Sequence, residues 1–226
     1  DWVLKGLSLD VKSGESLALV GATGAGKTSV INLLSRFYEY SKGSIALDGQ
    51  DIRNINTSDL RNHVGVVLQD VFLFSDTVHN NITINNKEIT REQVIEAAKA
   101  VGAHEFIMKL PNDYDYNVRE RGAMLSAGQR QLISFIRAYV YNPAILILDE
   151  ATSSIDTESE EIIQHAISKL TENRTSIIIA HRLATIQRAT TILVMDAGKV
   201  VEHGSHTELL AKNGFYKNLF DLQFAE

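Results

Sequence analysis

An α/β fold with a mainly parallel sheet is predicted by three features of the sequence. Apolar strand-like runs alternate with helical patterns along the last third of the chain, and such alternation is typical of parallel strands joined by helices. The run Ile145 to Leu148 is apolar at every position, as expected for a central strand covered on both faces. A glycine-rich segment, Gly21 to Thr28, follows another apolar run and precedes a helical pattern.

The first seventy residues predict short strands around one helix. Residues 3 to 11 partly alternate and predict a hairpin edge, and residues 17 to 20 predict the strand that enters the glycine-rich segment. Residues 43 to 49 predict a short strand ending in an Asp-Gly turn, and residues 64 to 68 predict a further strand. The helix after the glycine-rich segment has an apolar face formed by Val30, Ile31, Leu34 and Phe37.

From about residue 75 to residue 142 the pattern is helical. Capping boxes, in which two side chains three residues apart bond each other's backbone N–H, are predicted at Thr90 with Gln93 and at Ser126 with Gln129. We therefore expect one domain, 1–226, in two parts. Residues 1–74 and 143–226 form a core with an N-terminal antiparallel β subdomain, and residues 75–142 form an inserted helical subdomain.

The remaining elements continue the alternation. The sequence predicts a helix capped by Thr157 with Glu160, strands at 177–180 and 191–195, and a helix capped by Ser205 with Glu208. A final helix carries Phe215, Leu219 and Leu222 at helical spacing, and we expect these side chains to pack in the core rather than form a partner surface.

The composition excludes several classes of protein. With 22 Lys plus Arg against 28 Asp plus Glu and no dense basic run, nucleic acid is not expected as a partner. The absence of cysteine excludes disulfides and thiolate metal sites and fits a reducing compartment. No apolar run approaches the roughly 20 residues that span a bilayer. Because the chain begins with Asp1 in a strand-like segment, we expect it to be a piece of a longer protein.

The segment GATGAGKT fits the pattern G-x-x-x-x-G-K-[ST] and predicts a phosphate-binding loop. Its glycines let backbone N–H groups point inward, and the following helix presents its positive end to an anion. Lys27 can reach the β- and γ-phosphates of a nucleotide, and the Thr28 hydroxyl can ligate Mg²⁺. The alternative is a plain glycine-rich turn, but the flanking strand and helix favour nucleotide binding. We call this segment the phosphate loop: Gly21, Ala22, Thr23, Gly24, Ala25, Gly26, Lys27 and Thr28.

Two acids, Asp149 and Glu150, follow the buried apolar run. In a parallel sheet they are expected beside the phosphate loop, at the carboxyl end of their strand. Asp149 would hold Mg²⁺ directly or through water, and Glu150 could polarise an attacking water. The alternative reading of this pair, a solvated strand end or helix cap, is less favoured because the same chain carries the phosphate loop.

Two further polar residues end predicted strands. The Gln69 amide oxygen could complete a Mg²⁺ shell or orient water, and a neutral His181 imidazole could hydrogen-bond a γ-phosphate or the attacking water. Taken alone, each residue is better explained as a solvated or packed strand end. The other histidines show no metal-ligand pattern and are expected to be structural: 63, 79, 104, 165, 203 and 206.

The segment LSAGQ, residues 125–129, predicts a second anion-binding corner. The Ser126 hydroxyl, the Gly128 N–H and the start of the helix that Ser126 caps with Gln129 together can face an anion. A plain capping box explains the same residues equally well on local grounds.

In this order, GATGAGKT, LQ, LSAGQ, ILILDE, SSID and AHR closely resemble the nucleotide-binding domain of ATP-binding cassette (ABC) transporters, nearly end to end. The resemblance implies a P-loop NTPase (RecA-like) core that binds ATP and Mg²⁺. It also implies a head-to-tail dimer, homo- or heteromeric, with each ATP between one phosphate loop and the other subunit's signature. By position, the phosphate loop corresponds to the Walker A loop, Gln69 to the Q-loop glutamine and residues 125–129 to the signature. Asp149 and Glu150 correspond to the Walker B acids. Residues 153–156, which include Asp156, correspond to the D-loop, and His181 corresponds to the switch histidine.

The branch of the family is also indicated. Residues 69–82, residues 118–122 and the segment RFYEYSKGSIALDG resemble exporter-type domains, which are usually fused to a six-helix membrane domain. The implied function is an ATPase that drives such an exporter from the cytoplasmic face of the membrane, with the Gln69 and Glu120 regions touching its coupling helices. Ala127 stands where glycine is usual, Val118 departs from a glycine-containing pattern, and Trp2 is not expected to replace the adenine-stacking aromatic.

Two other functions follow less well from the sequence. A soluble cassette ATPase acting on DNA or in translation would need coiled-coil insertions, a second cassette or basic patches, and none is present. A non-hydrolytic binding module would be expected to lack the base or the switch residue, whereas Glu150 and His181 are both in place. The transported substrate cannot be read from this chain.

Overall fold

The computed structural model of the chain describes residues 2–149 and 157–224. Its strands are β1 (Ser16–Val20), β2 (Ala46–Leu47), β3 (Gln50–Asp51), β4 (Val64–Val67), β5 (Ile145–Asp149), β6 (Thr175–Ile179), β7 (Thr191–Asp196) and β8 (Lys199–Gly204). Its helices are α1 (Lys27–Leu34), α2 (Thr57–His63), α3 (Val78–Thr83), α4 (Arg91–Ala100), α5 (His104–Met108), α6 (Ala127–Tyr141), α7 (Thr157–Thr171), α8 (Leu183–Arg188), α9 (His206–Ala211) and α10 (Phe215–Phe224).

The central sheet has the strand order β4-β5-β6-β1-β7-β8. Strands β4, β5, β6, β1 and β7 run parallel, and β8 pairs antiparallel with β7. Strand β1 is therefore central, because Leu19 is in register with Ile179 on one side and Leu193 on the other. The α/β class and the mainly parallel sheet predicted from the sequence are confirmed.

Each central strand contributes to two apolar layers, one on each face of the sheet. In β1, Leu17 and Leu19 belong to a layer that also contains Val30 and Ile31 of α1, which we call the lower core layer. Ala18 and Val20 face the opposite layer, the upper core layer, which is filled mainly from α4, α6 and α7. Alternate side chains of an extended strand point to opposite faces, so an uninterrupted apolar run is what a strand between two helical layers requires.

Helices α3 to α6 lie between β4 and β5 in the chain, as the helical pattern predicted. The capping boxes at Thr90, Ser126 and Ser205 are each formed by both hydrogen bonds and are confirmed. The apolar layer above the sheet is continuous with these helices. The division into a core and a 75–142 subdomain stays a prediction.

The predicted hairpin edge at residues 3 to 11 is wrong. No strand is assigned within the described residues 2–14, and the segment instead lies against the β7–β8 turn, where the Lys5 N–H donates to the Gly198 carbonyl at 2.8 Å. Its apolar side chains pack against the lower core layer without pairing as strands. The small antiparallel sheet is β2 with β3, joined at Asp48 and Gly49, which both have positive φ.

Helix α1 ends earlier than its apolar pattern predicts, and Phe37 is not on its buried face. Arg36 adopts a left-handed conformation, with φ 52°. The Arg36 and Phe37 N–H groups then bond the Leu33 and Asn32 carbonyls at 3.0 and 2.8 Å. This is the pattern of a Schellman motif. The chain leaves the helix axis at this point, so Phe37 is 48% exposed.

The last helix packs with a different face from the one predicted. Leu222 is 85% exposed, which corrects its assignment to the core, whereas Tyr216 is buried and Leu219 packs against the upper layer. No helix within residues 2–149 and 157–224 combines the length and the apolar character that crossing a membrane requires.

Candidate functional site

The phosphate loop has a backbone that requires glycine at two positions. Gly21 has φ +149°, and a Cβ atom there would lie 2.2 Å from the Met195 carbonyl oxygen. Gly26 caps α1 with φ 104°, a conformation that favours glycine. Because glycine has no side chain, no capping side chain covers the first amides of α1. The positive end of the helix therefore opens onto the loop.

The remaining small residues of the loop divide into an exposed rim and a buried base. Ala22, Thr23 and Gly24 are exposed, and Gly24 has φ +83° with open space around it. Ala25 is buried in the lower core layer, and its carbonyl accepts a hydrogen bond from the Gly198 N–H at 3.0 Å. The base of the loop is thereby fixed to the β7–β8 turn.

Lys27, the first residue of α1, folds back over the loop. Its Nζ donates to the carbonyl oxygens of Gly21 at 2.6 Å and Ala22 at 3.0 Å, and the residue is only 7% exposed. Burial lowers the pKa of the ammonium group, and the negative charge of Asp149 opposes this shift. The cation is thus held inside the loop, where phosphates cradled by the backbone would meet it.

Four adjacent parallel strands bring predicted site residues to one edge of the sheet. In spatial order, the residues at or just beyond the carboxyl ends of β4, β5, β6 and β1 are Gln69, Asp149, His181 and Gly21. Asp149 is in register with Ile179, which is level with Leu19 of β1. At about 4.8 Å per strand, the backbone of Asp149 is roughly 10 Å from β1, because β6 lies between. Strand β6, which leads into His181, therefore lies between Asp149 and the strand of the phosphate loop.

The charges along this edge are electrostatically coupled. Burial raises the pKa of the Asp149 carboxyl, Lys27 lowers it, and the nearby Asp70 raises it further. Burial lowers the pKa of the His181 imidazole, and the positive charge of Lys27 adds to the effect. A partly buried carboxylate, a buried cation and a histidine whose pKa is held below its ordinary value therefore act on one another at this edge, through Lys27.

The three residues predicted to hold magnesium each offer an oxygen donor. Thr28 is exposed in the first turn of α1, Gln69 is exposed two residues beyond β4, and Asp149 ends β5. Within the described ranges, no group of three or more His, Cys, Asp or Glu side chains could hold a metal ion. Mg²⁺ is often bound by one or two carboxylates together with substrate phosphates, so this sparse donor set suits an ion that arrives with a nucleotide.

The second predicted anion corner lies at the start of α6. The Ser126 Oγ accepts from the Gln129 N–H at 3.2 Å, and Gln129 Oε1 accepts from the Ser126 N–H at 3.0 Å. Ser126 is exposed and Gly128 is buried. In the part of the chain that the structure describes, no hydrogen bond joins this corner to the phosphate loop. The structure thus gathers Lys27, Asp149 and His181 and leaves Ser126 at a separate corner.

Two predicted site residues, Glu150 and Asp156, lie outside the described residues, as does the whole 153–156 segment. The sequence reasoning also missed several residues that shape the site. Asp70 acts on Asp149, the Met195 carbonyl closes over Gly21, and α10 places aromatic side chains beside His181. Only Asp70 had a visible signal, since it follows Gln69 directly; the other contacts join residues more than thirty positions apart.

Comparisons with known proteins agree with this geometry. The profile of the ABC transporter family matches residues 4–153. A protein of Staphylococcus aureus (strain NCTC 8325 / PS 47), named as a multidrug export ATP-binding/permease protein, is 50% identical over 221 residues, which cover 98% of this chain and 38% of the relative. A protein of the same name from the bovine strain RF122 / ET3-1 is 49% identical over the same lengths.

A solved structure, of a bacterial Atm1-family ABC exporter with ATP bound, matches with a TM-score of 0.91 and 43% identity. The match covers 99% of this chain and 39% of that one. The chain thus spans less than two fifths of the proteins that it matches. It belongs to the ABC transporter family, and it is a nucleotide-binding domain of the exporter type, a class of domain that hydrolyses ATP.

Proposed function

We propose that two copies of this domain, or one copy and a related domain, close head-to-tail around two ATP molecules and drive an exporter-type membrane transporter. The observation that carries this proposal is the separation of the two anion corners. Lys27, Asp149 and His181 share one sheet edge, whereas Ser126 lies exposed at the start of α6. A corner unused by its own chain is suited to the nucleotide of a second one.

Within each site the residues have distinct proposed roles. The phosphate loop and Lys27 neutralise the phosphates, and Thr28, Gln69 and Asp149 hold Mg²⁺, which when bound stabilises charge on the transferred phosphoryl group. Glu150 polarises the attacking water. The neutral His181 donates or accepts one hydrogen bond at the γ-phosphate or that water. Ser126, Gly128 and Gln129, with Asp156, complete the site from the opposite chain.

An exposed aromatic patch beside Gln69 supports a contact with a membrane domain. Phe72 and Phe74 pack edge to face with ring centroids 5.1 Å apart, yet they are 55% and 52% exposed. Leu68 and Met124 are exposed as well. Large apolar side chains clustered at a surface mark interaction sites, so we propose that this patch meets the coupling helices of the transporter at the cytoplasmic face of the membrane.

Complementation between two inactive variants tests the shared site. Lys27→Ala removes the phosphate-loop cation, and Ser126→Arg blocks the signature corner with a bulky side chain. Each variant alone should be nearly inactive. A mixture should hydrolyse ATP faster than the sum of the two, because a mixed dimer contains one intact site.

Crosslinking of the mixture provides the control, since it reports whether mixed dimers form with ATP. Abundant mixed dimer without recovered hydrolysis would contradict a site in which one intact pair of corners suffices. Recovery, in contrast, is incompatible with a site contained in one chain.

A further inference from the structure

The last helix, α10, forms part of the wall behind the nucleotide site. A small cavity of about 10 Å³ lies between the ends of β1 and β6 and this helix. It is lined on the sheet side by Gly21 and His181, and on the helix side by Tyr216, Leu219 and Phe220. A cavity of this size holds one water at most. The helix thus shares this cavity with both Gly21 of the phosphate loop and His181.

The position of α10 is fixed at its first turn by β8. The two carboxylate oxygens of Glu202 accept the N–H groups of Phe215 at 2.9 Å and Tyr216 at 2.8 Å. Gly214 allows this approach, because a Cβ atom there would lie 1.8 Å from Glu202 Oε1. A charged acceptor at a helix N-terminus also complements the helix dipole. The anchor therefore comes from the central sheet and not from α10 itself.

A second anchor joins α10 to α9. The Tyr216 hydroxyl and His206 Nδ1 are hydrogen-bonded at 2.7 Å, and the His206 ring packs against the rings of Tyr216 and Phe220 with centroids 5.8 and 5.7 Å apart. These contacts fix Phe220 one turn further along the helix. The Phe220 ring is thus held from one side by His206 and faces the cavity beside His181 on the other.

His181 and Gly21 line the same cavity as α10, but only His181 has a side chain to orient. The backbone of Gly21 is set by the sheet and by the Met195 carbonyl that closes over it. The imidazole of His181, in contrast, is carried on two rotatable bonds beyond the end of β6. We propose that Phe220, held by Tyr216 and His206, is a positioning residue that keeps the His181 imidazole oriented toward the nucleotide. This inference rests on the role of His181 in the proposed function.

The primary test compares steady-state ATP hydrolysis by the 226-residue chain and its variants at one protein concentration. Phe220→Ala should lower kcat about 10-fold or more, since small misplacements of reacting groups are costly, with the KM for ATP changed less than about 3-fold because Lys27 and its loop are intact. Phe220→Tyr keeps the ring and should retain most of the rate. Leu222→Ala, on the exposed face of the same helix, is the matched control and should leave kcat unchanged.

A double-mutant cycle separates action through His181 from a general effect. In a His181→Ala chain, adding Phe220→Ala should lower kcat less than about 2-fold further, because the group that Phe220 orients is gone. If the decreases in kcat caused by the two substitutions multiply in the double variant, the proposal is overturned. If His181→Ala alone leaves hydrolysis unchanged, the proposed role of His181 fails. If His181→Ala is inactive and Phe220→Ala is normal, only the present inference fails.

An independent measurement reads the histidine directly. In chains labelled with ¹³C-histidine, the ring Cε1–H signal of His181 should move in Phe220→Ala, since a neighbouring aromatic ring is removed, and should not move in Leu222→Ala. An unmoved signal would overturn the proposal. If Phe220→Ala does not fold, as judged by circular dichroism, Phe220→Leu replaces it in every comparison.

Discussion

At the scale of single residues, Lys27 combines two roles that are usually separate. It is buried like a core residue and charged like a ligand-binding one, and its ammonium group is satisfied by the loop carbonyls of Gly21 and Ala22. An unpaired buried cation would be costly. The loop therefore supports the charge that a phosphate needs, at the position where the phosphate would bind.

Replacement of Lys27 by Ala should weaken ATP binding about 10- to 100-fold and remove most hydrolysis. The reason is that one hydrogen bond to a charged group contributes about 1.5–3 kcal/mol. Titration with a fluorescent ATP analogue measures the affinity, and Lys99→Ala, which removes an exposed lysine of α4, is the control. Equal affinities for the two variants would contradict the assignment.

The chemistry of these residues could be predicted where it is local in sequence. The phosphate loop is contiguous, so its pattern alone identifies Lys27 and its glycines. The contact of Gly21 with Met195 and the influence of Asp70 on Asp149 depend on which strands are neighbours. Sheet order is set by long-range pairing, and no local pattern of residues reports it.

At the scale of elements, the residues on the buried face of a helix contribute most of what that helix adds to the free energy of unfolding. Leu132 in α6 is 1% exposed and lies in the upper core layer, and α6 carries the Ser126 corner at its first turn. The packing of this helix therefore also fixes the position of the signature segment.

Leu132→Ala should lower the free energy of unfolding by about 2–5 kcal/mol, because it leaves a cavity in the core. Leu222→Ala removes the same side chain from an exposed site and should change it by less than about 0.5 kcal/mol. Urea denaturation of both variants provides the comparison. Similar losses in the two would show that the described packing of α6 or α10 is wrong.

Elements with a complete local signal were predicted well, and others were not. A capping box needs only two side chains three residues apart, and three of the four predicted caps, at Thr90, Ser126 and Ser205, are present. The fourth, at Thr157, involves a side chain outside the described part of the chain. The end of α1 was misplaced because Arg36, a non-glycine residue, adopts the left-handed conformation that stops the helix. The face of α10 was misjudged because Phe215, Tyr216, Leu219, Phe220 and Leu222 offer more than one apolar stripe, and Glu202 and His206 select among them.

At the scale of the whole molecule, two half-buried histidines make stability depend on pH. Burial lowers the pKa of His181 and of His79 below the ordinary histidine value. A lowered pKa means that the unfolded chain takes up the proton first as the pH falls. The contribution of each neutral imidazole to the free energy of unfolding is therefore complete above about pH 6.5, and it is lost as the pH falls toward the pKa of the folded state.

We expect the free energy of unfolding to fall between pH 7.5 and pH 6, with His181 contributing at most about 0.8 kcal/mol of the decrease. Urea titrations at the two pH values measure it. His181→Gln, which cannot take up the proton, should show a smaller decrease than the parent chain. An identical pH dependence in the two chains would contradict the lowered pKa of His181.

The central position of β1 also has a consequence for biosynthesis. Among the strands of the described residues β1 comes first in the chain, yet its two hydrogen-bonded neighbours, β6 and β7, follow more than 150 residues later, and the carbonyl that closes over Gly21 belongs to Met195. A ribosome must therefore translate most of the chain before the strands that hold the phosphate loop in place exist. The growing polypeptide therefore carries the complete loop sequence long before it contains the strands that hold the loop in place.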